Sequence, residues 1–192
     1  MRNVELKVAR DAASLARARA LALAAGAAPA GLLRQTDTYF HTPRGRLKLR
    51  QITEDGQSER AVLIGYARGD VAGARESEYR IVAIEDALGL IALLGATLGE
   101  RAQVVKRREL LLLRHTRIHL DTVARLGEFV ELETLVGAAE AGRDGAAGVA
   151  DAAAGERELR EIAAALELPL AAGIPGSYAD LLERLDEEGT PR

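Results

Sequence analysis

Asn3-Val4-Glu5-Leu6-Lys7-Val8-Ala9 alternates without a break, with Val4, Leu6 and Val8 on one face of an extended chain and Asn3, Glu5 and Lys7 on the other. That is the pattern of a strand with one buried face. Arg46-Leu47-Lys48-Leu49-Arg50-Gln51 repeats it, and the turn chemistry of His41-Thr42-Pro43-Arg44-Gly45 joins it to Gln35–Phe40 as a hairpin. Working outward, further strands are expected over 60–68, 76–83, 104–114, 116–123 and 127–136. The turns between them are short, so the pairing should be mainly antiparallel.

Helical signals punctuate this β pattern. Asp11 is a good N-cap for an Ala/Leu/Arg run over 12–25, which Gly26 and Pro29 stop. An Ala/Leu segment over 86–98 reads as a second helix, an amphipathic stretch over 156–168 as a third, and 177–187, capped by Ser177, as a closing helix. Between 137 and 155 the composition falls to Gly, Ala and a few charges, which predicts a mobile loop or a marginal helix. No internal repeat is present, and 192 residues suit one domain, 1–192, of α+β class.

Composition excludes several chemistries. The chain has no Cys, which removes disulfides, thiolate metal sites and a cysteine nucleophile. Its three His are too scattered for a histidine-rich zinc site, so a metal would be held by oxygen ligands and would be hard, Mg²⁺ or Mn²⁺. With 26 Lys+Arg against 29 Asp+Glu, there is no global attraction to nucleic acid. No stretch approaches the roughly 18 apolar residues of a membrane helix. The opening Met1-Arg2-Asn3-Val4-Glu5 lacks the apolar core of a signal peptide, which predicts a cytoplasmic location.

The polar strand faces carry the functional signal. They hold Glu5 and Lys7; Asp37; Arg46, Lys48 and Arg50; Arg60 and Arg68; Glu78 and Arg80; Lys106 and Arg108; Arg117, His119 and Asp121; Glu131 and Glu133. Two arrangements produce such faces. Either they are the solvated side of an open sheet, or the sheet closes around a charged interior. In the second case, cations converging from several strands suit a polyanion, and a few carboxylates suit its metal ions. Arg44, Arg60, Arg107, Arg114 and Arg117 read individually as surface residues, and His119 as a space-filling side chain.

The words in which these residues occur bear a family likeness. Val4-Glu5-Leu6-Lys7, Gln35-Thr36-Asp37-Thr38-Tyr39-Phe40, Pro43-Arg44-Gly45-Arg46-Leu47-Lys48-Leu49-Arg50 and Lys106-Arg107-Arg108 come in order. Ile118-His119-Leu120-Asp121, Leu126-Gly127-Glu128-Phe129-Val130-Glu131-Leu132-Glu133 and the closing Ser177-Tyr178-Ala179-Asp180-Leu181-Leu182 follow. Together they resemble the CYTH superfamily, named for class IV adenylate cyclase and thiamine triphosphatase, and the cyclase-like branch most closely. The resemblance implies an eight-stranded antiparallel triphosphate tunnel with flanking helices. It also implies Glu5, Glu131 and Glu133 as metal ligands, and Glu5, Asp121 and Glu133 as the catalytic acidic group. Lys7, Arg46, Lys48, Arg50, Arg68, Lys106 and Arg108 are implied as triphosphate binders. One position departs from the family's Glu-x-Glu-x-Lys word: Asn3 stands at its first Glu.

Three activities follow from the likeness. The leading one is conversion of ATP to cyclic AMP and pyrophosphate with Mg²⁺ or Mn²⁺. The others are hydrolysis of an inorganic, thiamine or nucleoside triphosphate in the same tunnel, and noncatalytic binding of a nucleotide or polyphosphate, motivated by Asn3. The implied partner is a triphosphate-containing small molecule, with no nucleic acid or membrane; a homodimer is an allowed assembly.

Overall fold

The computed structural model describes residues 2–55, 57–68, 75–137, 149 and 151–189. Its strands are β1 (Arg2–Arg10), β2 (Ala28–Phe40), β3 (Arg46–Glu54), β4 (Arg60–Arg68), β5 (Arg75–Ile84), β6 (Glu100–Leu113), β7 (Thr116–Val123) and β8 (Gly127–Val136). The helices are α1 (Ala12–Ala24), α2 (Ala87–Leu98), α3 (Ala152–Ala165) and α4 (Tyr178–Gly189). The strands close into a barrel in the order β1-β5-β4-β3-β2-β6-β7-β8. Each neighbouring pair is antiparallel. Closure settles the choice left by the sequence: the charged faces of β1, β2, β3, β6, β7 and β8 turn inward.

The consequence is an inverted arrangement in which the main apolar core lies outside the barrel wall. Val4, Leu6 and Val8 on β1 pack with Leu111, Ile118, Val130 and Leu132 against α1 and α3, which contribute Ala18, Ala22, Leu159 and Ile162. Leu6, Leu111, Ile118, Leu132 and Leu159 are fully buried there, each stabilising by about 1.5–3 kcal/mol. α2 carries no charge and lays Leu90, Ile91 and Leu94 on a second patch around Phe40 and Leu49. No described helix is long and apolar enough to cross a membrane.

Several boundaries differ from the sequence expectation: β6 begins at Glu100 rather than Val104 and β3 runs to Glu54 rather than Gln51, and two further differences have a local cause. β2 begins at Ala28 rather than Gln35, because a bulge between Pro29 and Gly31 in its pairing with β6 accommodates the proline at the strand's start. α3 begins at Ala152, four residues before the expected helix, with Asp151 accepting from Ala154 N at 2.7 Å. Gly155, read as loop or marginal helix, is buried inside this helix. A Cβ there would meet Val136 Cγ2 at 3.0 Å and Val4 Cγ2 at 3.3 Å, so glycine permits α3 to lie close on β1 and β8. Residues 138–148 and 150 of the expected loop lie outside the described residues.

α4 seals one end of the barrel. Tyr178, Ala179 and Leu182 pack on Tyr39, Val104, Val123 and Phe129, residues clustered where β2 and β7 finish and β6 and β8 begin. A reciprocal cap starts the helix: Asp180 N donates to Ser177 Oγ at 3.3 Å and Ser177 N to Asp180 Oδ2 at 2.6 Å. The same carboxylate accepts from Arg46 at 2.9 Å and Arg101 at 2.5 Å, tying α4 to β3 and β6. Burial alone would raise the pKa of Asp180; the Ser177 amide, Arg101 and Arg46 outweigh it and hold the carboxyl below its ordinary range. A depressed folded value means stability that is present above about pH 4 and lost as pH falls further. Asp180→Ala should therefore lower stability by about 1–3 kcal/mol near neutral pH, a deficit that shrinks in acid. Denaturant melts of both proteins at pH 7 and pH 3 check this; an equal deficit at both pH values would contradict it.

Candidate functional site

The barrel encloses a cavity of about 710 Å³ whose lining is divided into three parts. The first is cationic. Lys7, Lys48, Arg50, Lys106 and Arg108 all point inward, and the register sets two aspartates among them: Asp37 directly opposite Arg50, and Asp121 opposite Arg108. Arg50 donates to both oxygens of Asp37 at 2.6 and 2.7 Å, and Lys48 adds a third bond at 2.8 Å. Asp121, fully buried, accepts twice from Arg108 at 2.6 Å, from Lys106 at 3.1 Å and from Tyr178 OH at 3.0 Å.

Burial would raise both aspartates. The charges of Arg50 and Lys48 on Asp37, and of Arg108 and Lys106 on Asp121, overcome it and keep both ionised far below the usual carboxylate range. Lys106 experiences the opposite balance: burial, then the charge of Arg108, bring it down to about 7 against the pull of Asp121. At the sealed end, Lys7 and Lys106 sit 4.2 and 4.9 Å from the centre of the Tyr178 ring, a cation–π arrangement that holds both ammonium groups without neutralising them.

The second part is acidic. Along β1, β8 and β7, Glu5 pairs in register with Glu133, Glu133 with Arg117, and Glu131 with both Lys7 and His119. His119, Glu131 and Glu133 each offer a donor atom, all within 4.8 Å of one another. Glu131 is held well below its ordinary range because the charges of Lys7, Arg108 and Lys106 outweigh its burial. Burial and Arg108 push His119 downward, toward the neutral imidazole. Two carboxylates and a neutral imidazole make a donor set for a divalent cation, and Asn3 Oδ1, buried on the same cavity, makes no hydrogen bond. The residues present thus fit a metal.

The third part is aliphatic. Leu33, Ile52, Ile64, Ile81, Leu110 and Leu112 line the cavity on β2 to β6. In register, Leu112 pairs with Arg117 and hence shares a row with Glu133 and Glu5, so the aliphatic wall adjoins the acidic group. It lies toward the end away from α4, which is open among the described residues: Ile81 there is 47% exposed.

Of the residues expected from sequence, the structure gathers Glu5, Lys7, Lys48, Arg50, Lys106, Arg108, Glu131 and Glu133 on this one cavity. Arg46 shares the inward face of β3, but its guanidinium engages Asp180 at the α4 end. Arg68 closes β4, and its side chain lies outside the described residues. Asp121 is counter-ion to the cations rather than a member of the acidic group, joined to Glu131 through Arg108, which lies 2.9 Å from Glu131. On β5 the expected face is reversed: Glu78 and Arg80 are exposed, and Ser77, Tyr79 and Ile81 point inward. Arg60 and Arg117, read as surface residues, line the cavity, and His119 belongs to the donor group instead of filling space. Register carries that information, and alternation within a single strand does not.

Residues 1–165 match the CYTH domain, and the chain belongs to the CYTH family. No curated protein is similar enough in sequence to count as a relative. Among solved structures, the PH1012 protein of Pyrococcus horikoshii OT3 superposes with a TM-score of 0.74 at 19% identity, covering 93% of this chain and 98% of that one. A proposed adenylate cyclase from Vibrio parahaemolyticus gives 0.67 at 17% identity, over 94% and 97% of the two chains. HpAC1 of Hippeastrum, a proposed adenylyl cyclase with a dominant triphosphatase activity, gives 0.61 at 11% identity over 95% and 96%. At these identities the likeness is one of fold.

Lys106 makes the cavity's attraction for anions depend on pH. Below about 7 its ammonium is charged; above it the amine is neutral and one cation is lost. Inorganic tripolyphosphate, titrated calorimetrically from pH 6 to 8.5, should bind with proton uptake above pH 7 and lose affinity relative to a Lys106→Arg protein, which stays charged. Identical pH profiles for the two proteins would refute this.

Proposed function

We propose that this CYTH protein is a divalent-metal-dependent enzyme acting on an organic triphosphate, and that it converts ATP to cyclic AMP and pyrophosphate. The observation that carries the reading is the division of the cavity lining: Lys7 and Lys106 lie against Tyr178 at the sealed end, Lys48, Arg50 and Arg108 share the charged part with Glu131 and Glu133 beside them on β8, and the aliphatic wall lies toward the open end. A triphosphate entering such a cavity leads with its free phosphates, where Lys7, Lys48, Arg50, Lys106 and Arg108 receive them. Its organic end stays near Leu33, Ile52 and Leu110. The phosphorus that carries the organic group then lies nearest Glu5, Glu131 and Glu133.

Each part has a distinct task. Glu5, Glu131 and Glu133 would hold the cation, which when bound polarises a phosphoryl oxygen. Arg50 and Arg108, fixed by their aspartates, present N–H groups to the charge that grows on the departing pyrophosphate. Because Asp37 and Asp121 pre-orient these guanidiniums, little reorganisation accompanies the reaction. The aliphatic wall excludes water beside the scissile bond and positions the ribose, whose 3′ hydroxyl oxygen bonds to the α-phosphorus as the bond to pyrophosphate breaks, the hydroxyl proton leaving with the pyrophosphate. Competing water attack would give hydrolysis in the same cavity, the activity named for the Hippeastrum neighbour.

Incubation with ATP or inorganic triphosphate, each with Mg²⁺ or Mn²⁺, and chromatography of the products tests the reading. Cyclic AMP and pyrophosphate should form from ATP, and Glu133→Ala should reduce the rate by about 10²-fold or more. Leu110→Thr should weaken ATP binding and leave inorganic triphosphate binding unchanged. Orthophosphate from inorganic triphosphate without cyclic AMP would make the protein a triphosphatase, and binding without turnover would make it a noncatalytic module.

A further inference from the structure

The metal expected from composition is one held by oxygen alone, yet the donor group built by β7 and β8 contains a nitrogen. Glu131 and Glu133 alternate on β8, so both face the cavity, and His119 is the register partner of Glu131 across the β7–β8 ladder. Three side chains on two paired strands are held by the backbone, not by a loop. The geometry of the imidazole is informative. His119 is 3% exposed, and its Nδ1 lies 3.5 Å from Glu131 Oε2 and 3.9 Å from Glu133 Oε1 without making a hydrogen bond to either. Glu131 Oε2 already accepts from Arg108 at 2.9 Å. The ion pairs of Glu133 are long, 4.0 Å to Arg117 and 3.9 Å to His119. A second buried donor without a hydrogen bond, Asn3 Oδ1, lines the same cavity.

A histidine whose task was to brace a carboxylate would sit in hydrogen-bond geometry with it. Here the nitrogen and the carboxylate oxygens converge on a shared space instead. We infer that His119 is a metal ligand alongside Glu131 and Glu133, and that its nitrogen makes the site prefer Mn²⁺ to Mg²⁺. Magnesium is hard, keeps its waters and favours oxygen donors in a near-ideal octahedron, whereas Mn²⁺ suits the same carboxylates and, as a transition ion, accepts one imidazole nitrogen among them more readily than Mg²⁺ does. This specifies the metal of the functional reading above, but the site can be examined without any triphosphate.

Calorimetric titration of the free protein with Mn²⁺ and with Mg²⁺ gives the ratio of affinities, and pulsed electron paramagnetic resonance of bound Mn²⁺ reports a coordinated ¹⁴N directly. Mn²⁺ should bind about tenfold or more tightly than Mg²⁺, with a nitrogen coupling in the spectrum. In His119→Asn the coupling should vanish and the ratio fall toward one, while Glu133→Gln should weaken both metals. Equal affinities, or bound Mn²⁺ with no nitrogen coupling, overturn the inference, and the spectrum of the unsubstituted protein decides it even where a variant fails to fold. Turnover of ATP by a protein whose Mn²⁺ shows no nitrogen would sink this inference alone. Nitrogen-coordinated Mn²⁺ in a protein that neither binds nor turns over triphosphates would sink the functional reading alone.

Discussion

Five cations share one buried cavity, and the rest of the structure depends on how their repulsion is contained. Two aspartates do this. Asp37 gathers Arg50 and Lys48, and Asp121 gathers Arg108 and Lys106, with both carboxylates almost wholly inaccessible to solvent. Removing one member of such a group leaves the others uncompensated, which for buried pairs costs about 3–5 kcal/mol. Glu131 adds a third counter-charge, 3.7 Å from Lys7 and 2.9 Å from Arg108, so each of the five cations has a carboxylate beside it.

Because the charges occupy the interior, the apolar material that stabilises the fold must be placed elsewhere. The helices supply it from outside. α1 and α3 cover the outward faces of β1, β7 and β8, and α2 covers β2 and β3 with a surface free of charge. The barrel wall is therefore a sheet with core on its outer side and chemistry on its inner side. That accounts for the alternation of Val4, Leu6 and Val8 with Asn3, Glu5 and Lys7, in which neither set is solvated.

Much of this was legible in the sequence, and the limits are instructive. Strict alternation located β1 and β3, and the ordered motif words implied closure, which periodicity could not. Alternation does not reveal the neighbours of a strand. Alternation puts Asp37 on a polar face without a partner, which β3 supplies by setting Arg50 opposite it, and it reads His119 as filler, where β8 sets Glu131 beside it. On β5, charged residues at alternate positions suggested the wrong inner face: Glu78 and Arg80 are solvated, while Ser77 and Tyr79 point inward. Gly155 misled for another reason. Poverty in large side chains resembles a loop, and here it answers a steric demand of helix on strand.

The ladder that completes the barrel is uneven. β1 is paired with β8 along its whole length, Arg2–Arg10, but with β5 only across Arg2–Glu5 among the described residues. β1 is also the strand that brings Glu5 and Lys7 to the cavity. Because its inner face holds Asn3, Glu5 and Lys7 while Val4, Leu6 and Val8 pack under the helices, a slip of one residue in its register with β8 would exchange the two sets, putting apolar side chains in the cavity and charges in the core.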